Sequence, residues 1–258
     1  MTDLYDRPYQ TDYRNSVWTC GILPVYRQQL YSVYGEYKST AREFFATVNL
    51  THNREWYNRI YEQRIENGQV QRVSLPLSNH GSGYTVKSTL SKGFYDLGLK
   101  TSLLALLNIS KAKQISGGQR LPYQYRLMRL EPKVIWTPNR HWETSYQTDI
   151  RYGGSKIGER TRLAPLWNVT QQVQLSYIFS PIEASLSVDH YHNDVNEDQS
   201  VNAVFADFSV SWKSGRWQIT ATATNLFDKR TYGYTRYASL ESYTSWVRIR
   251  PREFLVAI

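Results

Sequence analysis

The side chains best suited to chemistry in this chain are the imidazoles of His190 and His192, two residues apart with Asp189 and Asp194 beside them. In an extended segment that spacing puts both rings on one face, where with a carboxylate they could hold a transition metal. The same residues also suit the rim of a strand next to a polar loop, where they would only meet water. Elsewhere the prospects for chemistry are thin. His52, His80 and His141 have no partner at ligand spacing. No nucleophile motif or Gly-rich phosphate loop occurs. Cys20 is the sole cysteine, so neither a disulfide framework nor a thiolate metal site is possible within the chain. Asn49, Asn108 and Asn168 match the glycosylation pattern but fall inside predicted strands, not surface loops. The expectation is no catalytic residue, no metal and no cofactor: a protein that is not an enzyme.

The elements that would carry these residues read as strands. From Trp217 to Thr224, Trp217, Ile219, Ala221 and Ala223 alternate with Gln218, Thr220, Thr222 and Thr224. This is the period-2 pattern of a strand with one apolar and one polar face. A soluble sandwich or a membrane barrel with an aqueous lumen would both use it. The pattern recurs. Predicted strands run from Val25 to Lys38, through Phe44–Thr51 and Tyr84–Leu90, and from Leu97 to Ala112. Others cover Tyr123–Trp136, Trp142–Tyr152, Trp167–Phe179, Ile182–Asp189 and Val204–Trp212, and a last one runs to Ile258. The count is about eleven. Residues 1–25 read as a loop, and Met1 to Asp12 lacks the apolar core of a secretory signal.

Composition narrows the class. With 258 residues the chain can build one large β-domain or two small ones. No apolar run approaches the roughly 20 residues a spanning helix needs. The net charge of +9 comes from bases scattered among 22 acids, an arrangement that does not favour nucleic acid. Tyr (21) and Trp (8) together greatly outnumber Phe (8), as when aromatic rings need a wet edge.

Two regularities favour the barrel over a sandwich. Predicted connections alternate between short ones (39–42, 94–96, 137–141, 180–181, 213–216) and long ones (57–79, 113–120, 153–162, 192–200, 229–242). Membrane barrels have short periplasmic turns and longer extracellular loops, whereas Greek-key sandwiches have no reason to alternate. In addition, Phe94, Trp136, Trp142, Phe179, Trp212 and Trp217 flank the short turns, while Trp56, Tyr84, Tyr123, Tyr152, Trp167 and Phe227 lie near the long ones. Two aromatic belts are what two membrane interfaces demand.

Asn225-Leu226-Phe227-Asp228 and the Arg250-Pro251-Arg252 segment resemble the C-terminal end of TonB-dependent outer-membrane receptors, in which such motifs close the penultimate strand and precede the last. Ile22-Leu-Pro-Val-Tyr-Arg27 is similar to a strand start in the variant with a carboxypeptidase-like N-terminal extension. The resemblance implies an all-β, antiparallel up-and-down transmembrane barrel of 22 strands, of which residues 1–258 would be the C-terminal portion. It also implies a cell outer-membrane location, contact with outer-membrane lipid, and active uptake of an extracellular nutrient. The plug domain, the other barrel half, the signal peptide and the contact with a TonB-type energy-coupling protein are expected outside this sequence, and no nucleic acid is expected as partner. A stand-alone passive channel of about a dozen strands, or a soluble carbohydrate- or nucleic-acid-binding β-protein, are the alternatives.

Overall fold

Alternation of β-branched and aromatic residues with small polar ones makes the chain extended almost throughout, and tight turns fold it back on itself. The structure, a computed structural model, describes residues 7–11, 15–19, 21–66, 69–158, 161–195, 198–237 and 242–258. Cys20 and the Asn67-Gly68 dipeptide lie outside them. The strands are β1 (Tyr9–Gln10), β2 (Asn15–Trp18), β3 (Tyr26–Ser39), β4 (Phe44–Tyr57), β5 (Ile60–Glu66), β6 (Gln69–Leu75), β7 (Asn79–Phe94), β8 (Leu99–Ser116) and β9 (Gln119–Asn139). They continue as β10 (Trp142–Ile157), β11 (Thr161–Phe179), β12 (Ile182–Asp194), β13 (Ser200–Ser214), β14 (Trp217–Thr224), β15 (Thr231–Tyr237), β16 (Ser242–Arg248) and β17 (Glu253–Ala257). No α-helix occurs among the described residues.

Eleven of these strands form one antiparallel meander in the order β3-β4-β7-β8-β9-β10-β11-β12-β13-β14-β17. The protein is therefore all-β and up-and-down, and the sheet is open. Among the described residues, β3 pairs only with β4 and β17 only with β14. Every residue of β3 from Tyr26 to Lys38 is exposed. Among the described residues, parallel contacts are confined to β2 with β6 and a single pair between β5 and β8.

The registers sort the side chains. Leu50 faces Val86, Val86 faces Leu107 and Leu107 faces Met128. Further along, Tyr146 faces Val134 and Val173, Val173 faces Val188, and Val188 faces Ala206. On the opposite surface Lys87 neighbours Leu106, Gln172 faces Asp189, and Ser211 faces Thr220. One face is thus apolar and the other predominantly polar from β4 to β14. Between its two rims the apolar face carries no charged side chain on these strands. Lys92, with its ammonium 5.2 Å from the centre of the Phe94 ring, marks one rim.

Tight turns hold one end of the meander and are tied to their neighbours. Gly98 closes a 3-10 turn at Tyr95–Leu97, donating to the Tyr95 carbonyl at 3.0 Å, and its own carbonyl accepts from Thr137 N at 2.8 Å. Asn139 Oδ1 accepts from His141 N and Trp142 N, an Asx turn between β9 and β10. At the other end the strands run past the common sheet. This corrects four of the predicted loops. The polar segment 57–79 contains the β5–β6 hairpin, and 229–242 contains β15 and the first residue of its partner β16. The 113–120 loop shrinks to a two-residue turn, because Gly117 and Gly118 both take positive φ and let β8 and β9 pair through Ser116 and Gln119. The 153–162 loop is largely strand, with a bulge between Gly153 and Ser155. Residues 1–25, read as a loop, include β1 and β2.

Gly98 has φ +59°, and a Cβ there would collide with the Thr137 carbonyl oxygen, whereas Gly215 has φ +57° and open space. Gly215→Ala should cost about 1–2 kcal/mol from the left-handed backbone alone. Gly98→Ala should cost more. Urea unfolding followed by tryptophan fluorescence checks this, and equal losses would mean that the Thr137 carbonyl yields without cost.

Candidate functional site

Three features could carry function: the aromatic rims, a groove on the polar face, and the turn after β14. The six aromatics expected beside the short turns all fall on the apolar face at one end of the meander. Leu99 pairs with both Phe94 and Trp136, Trp142 packs 4.6 Å from Tyr177, and Trp212 pairs with Ile182 and Ile219. All six are exposed, Trp217 at 66% and Phe179 at 54%. The far rim is built from Tyr31, His52 and Tyr84, whose rings stack in sequence, and from Tyr152 against Trp167 at 4.7 Å. Two residues assigned to that belt lie elsewhere. Tyr123 pairs with Ala112 in unbroken register with Tyr125 opposite Ser110, which puts it on the polar face. Phe227 sits in a turn, not on a strand.

His190 and His192 share the apolar face of β12 at this same end, and Asp189 points to the other side. His192 Nδ1 lies 2.8 Å from Asn202 Oδ1, and its Nε2 lies 3.4 Å from Asp194. Asp194 also accepts from the Trp167 backbone N–H at 2.8 Å. This arrangement joins β11, β12 and β13. Among the described residues no group of three or more His, Cys, Asp and Glu side chains is placed to hold a metal ion.

On the polar face, charges pair. Arg129 on β9 donates twice to Asp149 on β10, at 3.1 and 3.0 Å, and contacts Glu131 at 2.5 Å, while Arg151 contacts Asp149 at 2.5 Å. The β15–β16 hairpin bends over this face. Tyr232 packs edge-on against Tyr191 at 5.1 Å, and Asn193 donates to the Tyr232 hydroxyl at 2.9 Å. Between hairpin and sheet lies a cavity of about 640 Å³, lined by Tyr125, Arg129, Arg151, Asn168, Tyr232 and Tyr234 among others. Its rings, amides and paired charges can hydrogen-bond and stack a polar solute. Sequence reasoning missed this groove, because its walls come from five strands and only the fold brings them together.

The Asn225–Asp228 and Arg250–Arg252 motifs meet in one clamp. Asn225 and Asp228 both have φ +51°, a left-handed conformation that Asn and Asp tolerate best after Gly. Asn225 is buried. Its side chain donates to the carbonyls of Lys229 (2.9 Å) and Arg250 (2.8 Å) and accepts from Lys229 N (3.0 Å). Its backbone N–H donates to Asp207 on β13, and Leu226 N donates to the Ala206 carbonyl. Asp228 accepts from Arg252 N at 3.0 Å and pairs with Arg230 at 2.9 Å. The hydrogen bond from Arg230, reinforced by the Arg252 N–H, holds the Asp228 carboxyl below the usual carboxylate range. Asp207, Lys229 and Arg230 belong to the clamp without any local signal in the sequence. Leu226 and Phe227 take part through backbone position, and Pro251 spaces Arg250 from Arg252.

Fold and site together define a class: an all-β protein built on an open antiparallel meander with one apolar and one polar face. No family model, curated protein or solved structure matches the chain.

Asn225→Ala removes three hydrogen bonds around a buried side chain and should lower stability by about 2–3 kcal/mol. Enhanced proteolysis within residues 225–252 is the local readout. Asp228 has a depressed folded-state pKa, so its contribution is present above the unfolded value of about 3.9 and is lost as pH falls through the folded one. Asp228→Asn should therefore flatten the acid dependence of cleavage below about pH 4. An unchanged acid profile would remove Asp228 from the clamp.

Proposed function

We propose that this chain forms part of the wall of an outer-membrane, TonB-dependent receptor for active uptake of a nutrient. The observation that carries the reading is the exposed apolar face. At about 4.8 Å between strands and 3.3 Å per residue it measures roughly 50 by 25 Å, on the order of 1,200 Å². A typical soluble monomer exposes a largest apolar patch of about 300–600 Å². Lipid is the solvent that such a face fits.

Its height agrees. Trp142 and Tyr152 mark the two rims of β10, ten residues apart. That is about 33 Å along the strand and about 25 Å across a bilayer at the tilt of about 40° usual for such strands. The polar face lines an aqueous lumen, the tight turns lie on the periplasmic side, and the strand-extended connections reach the outside. There the groove under the β15–β16 hairpin meets the incoming solute.

The receptor reading is supported over a passive channel by the open edges and the clamp. In a meander of eleven strands the first and last run the same way, so β3 and β17 cannot close antiparallel on each other. Each unsatisfied backbone group in lipid costs several kcal/mol. Further wall strands must cover both edges, and the resemblance of the clamp motifs assigns those strands, the plug and the TonB-type contact to the rest of a receptor.

Planar-bilayer reconstitution of the monomeric chain tests this: no steady single-channel conductance is expected. Steady unitary currents would promote the stand-alone channel. The face assignment has its own test within an assembled receptor. Ala221→Arg should cost about 2–4 kcal/mol near mid-membrane and reduce heat-modifiable folded protein, whereas Thr220→Arg on the lumen side should be tolerated. Comparable folded yields for the two would refute it.

A further inference from the structure

Basic side chains crowd one rim of the apolar face, and among the described residues no carboxylate pairs with them. The register aligns Arg54 on β4 with Ser82 on β7, Ser82 with Lys111 on β8, Lys111 with Gln124 on β9, and Gln124 with Lys156 on β10. Arg126 stands one step nearer the apolar band on β9, and Lys113 one step farther out on β8. All five bases are exposed. Among the described residues none of them forms an ion pair with a carboxylate, and β4, β7, β8, β9 and β10 place no acid on this face at that level. Arg54 donates only to its neighbour His52, at 3.2 Å. The polar face behaves oppositely, since Arg129, Asp149 and Arg151 neutralise one another there.

A row of like charges costs energy unless an anion joins it. This one sits directly beyond the aromatic rim of Tyr31, His52 and Tyr84, at the level where lipid headgroups meet the surface. Arg54 and Lys111 stand about 10 Å apart across two strand spacings. Lys111 and Arg126 are diagonal neighbours at about 7–8 Å. The gaps suit a phosphate held between a guanidinium fork and an ammonium, with acyl chains lying along Leu50, Val86, Leu107 and Met128. We infer that this rim is a binding site for the phosphorylated headgroup of an anionic membrane lipid. The inference rests on the membrane reading above.

Flotation of the full chain with phosphatidylcholine vesicles, with and without phosphatidic acid, tests it at fixed ionic strength. The wild type should float with both and bind the phosphatidic acid vesicles more tightly. Arg54→Gln, Lys111→Gln and Arg126→Gln together should erase that gain, about five-fold for each charge, and leave binding to neutral vesicles unchanged. A control removing Lys87, Lys100 and Lys133 from the polar face should keep the gain. Equal binding of the wild type to both vesicles, or an equal loss in the control, would overturn the site. Inorganic phosphate that abolished the gain where chloride did not would overturn the lipid as its source. Flotation with neither vesicle would instead remove the membrane premise.

Discussion

From Thr144 to Gly153, cross-strand hydrogen bonding holds β10 in one register against both neighbours, so that Tyr146 lies between Val134 and Val173, and Gln147 between Lys133 and Gln172. Because side-chain direction alternates with period two, a slip of one residue would turn every apolar side chain of the strand to the wrong side. The same condition passes from strand to strand across the meander. It is why the tight turns matter: each one sets the offset of its hairpin, and bonds such as Thr137 N to the Gly98 carbonyl and Lys213 N to the Pro181 carbonyl lock neighbouring hairpins together. The apolar face is the sum of these local offsets.

An open sheet leaves that order unfinished at β3 and β17. The two edges differ in how the chain delivers them. β3 leads straight into β4 through the turn at Thr40–Glu43. β17 follows β14 only after an excursion of 28 residues, from Asn225 to Arg252, that includes the β15–β16 hairpin. A loop of that length has many ways to return and few reasons to return in register. The clamp supplies the reason. Asn225 binds the Arg250 carbonyl and Asp228 binds Arg252 N, so the chain re-enters the sheet with Glu253 opposite Thr224.

Charge follows the same division into two faces. On the polar surface, acids and bases alternate within reach of one another, and Asp149 joins Arg129 and Arg151 into a ladder across β9 and β10. Near the far rim of the apolar surface the bases come without acids from β4 to β10. A wall facing water can satisfy its charges internally. A rim facing outward from the sheet relies on what adjoins it.

What the sequence determined by itself was local. Period-2 alternation revealed the strands and the side each residue would take, because side-chain direction in a strand depends only on parity. The tight turns predicted at 94–96 and 137–141 overlap those observed at Tyr95–Gly98 and Arg140–His141, because turn residues such as Pro138 and Asn139 act locally. The β5–β6 and β15–β16 hairpins were not legible. Both are projecting pairs rich in polar side chains, and without a strong contrast between faces their strands read as loop. The β8–β9 extension was hidden because Gly117-Gly118 signals a loop whether it spans two residues or eight. Only the tertiary structure decided that Tyr125 lines the groove, that Asp207 receives Asn225 from 18 residues away, and that four bases on three further strands join in one row with Arg54. Those relations depend on which strands are neighbours and in what register, and pairing between distant segments leaves no mark on the composition of either.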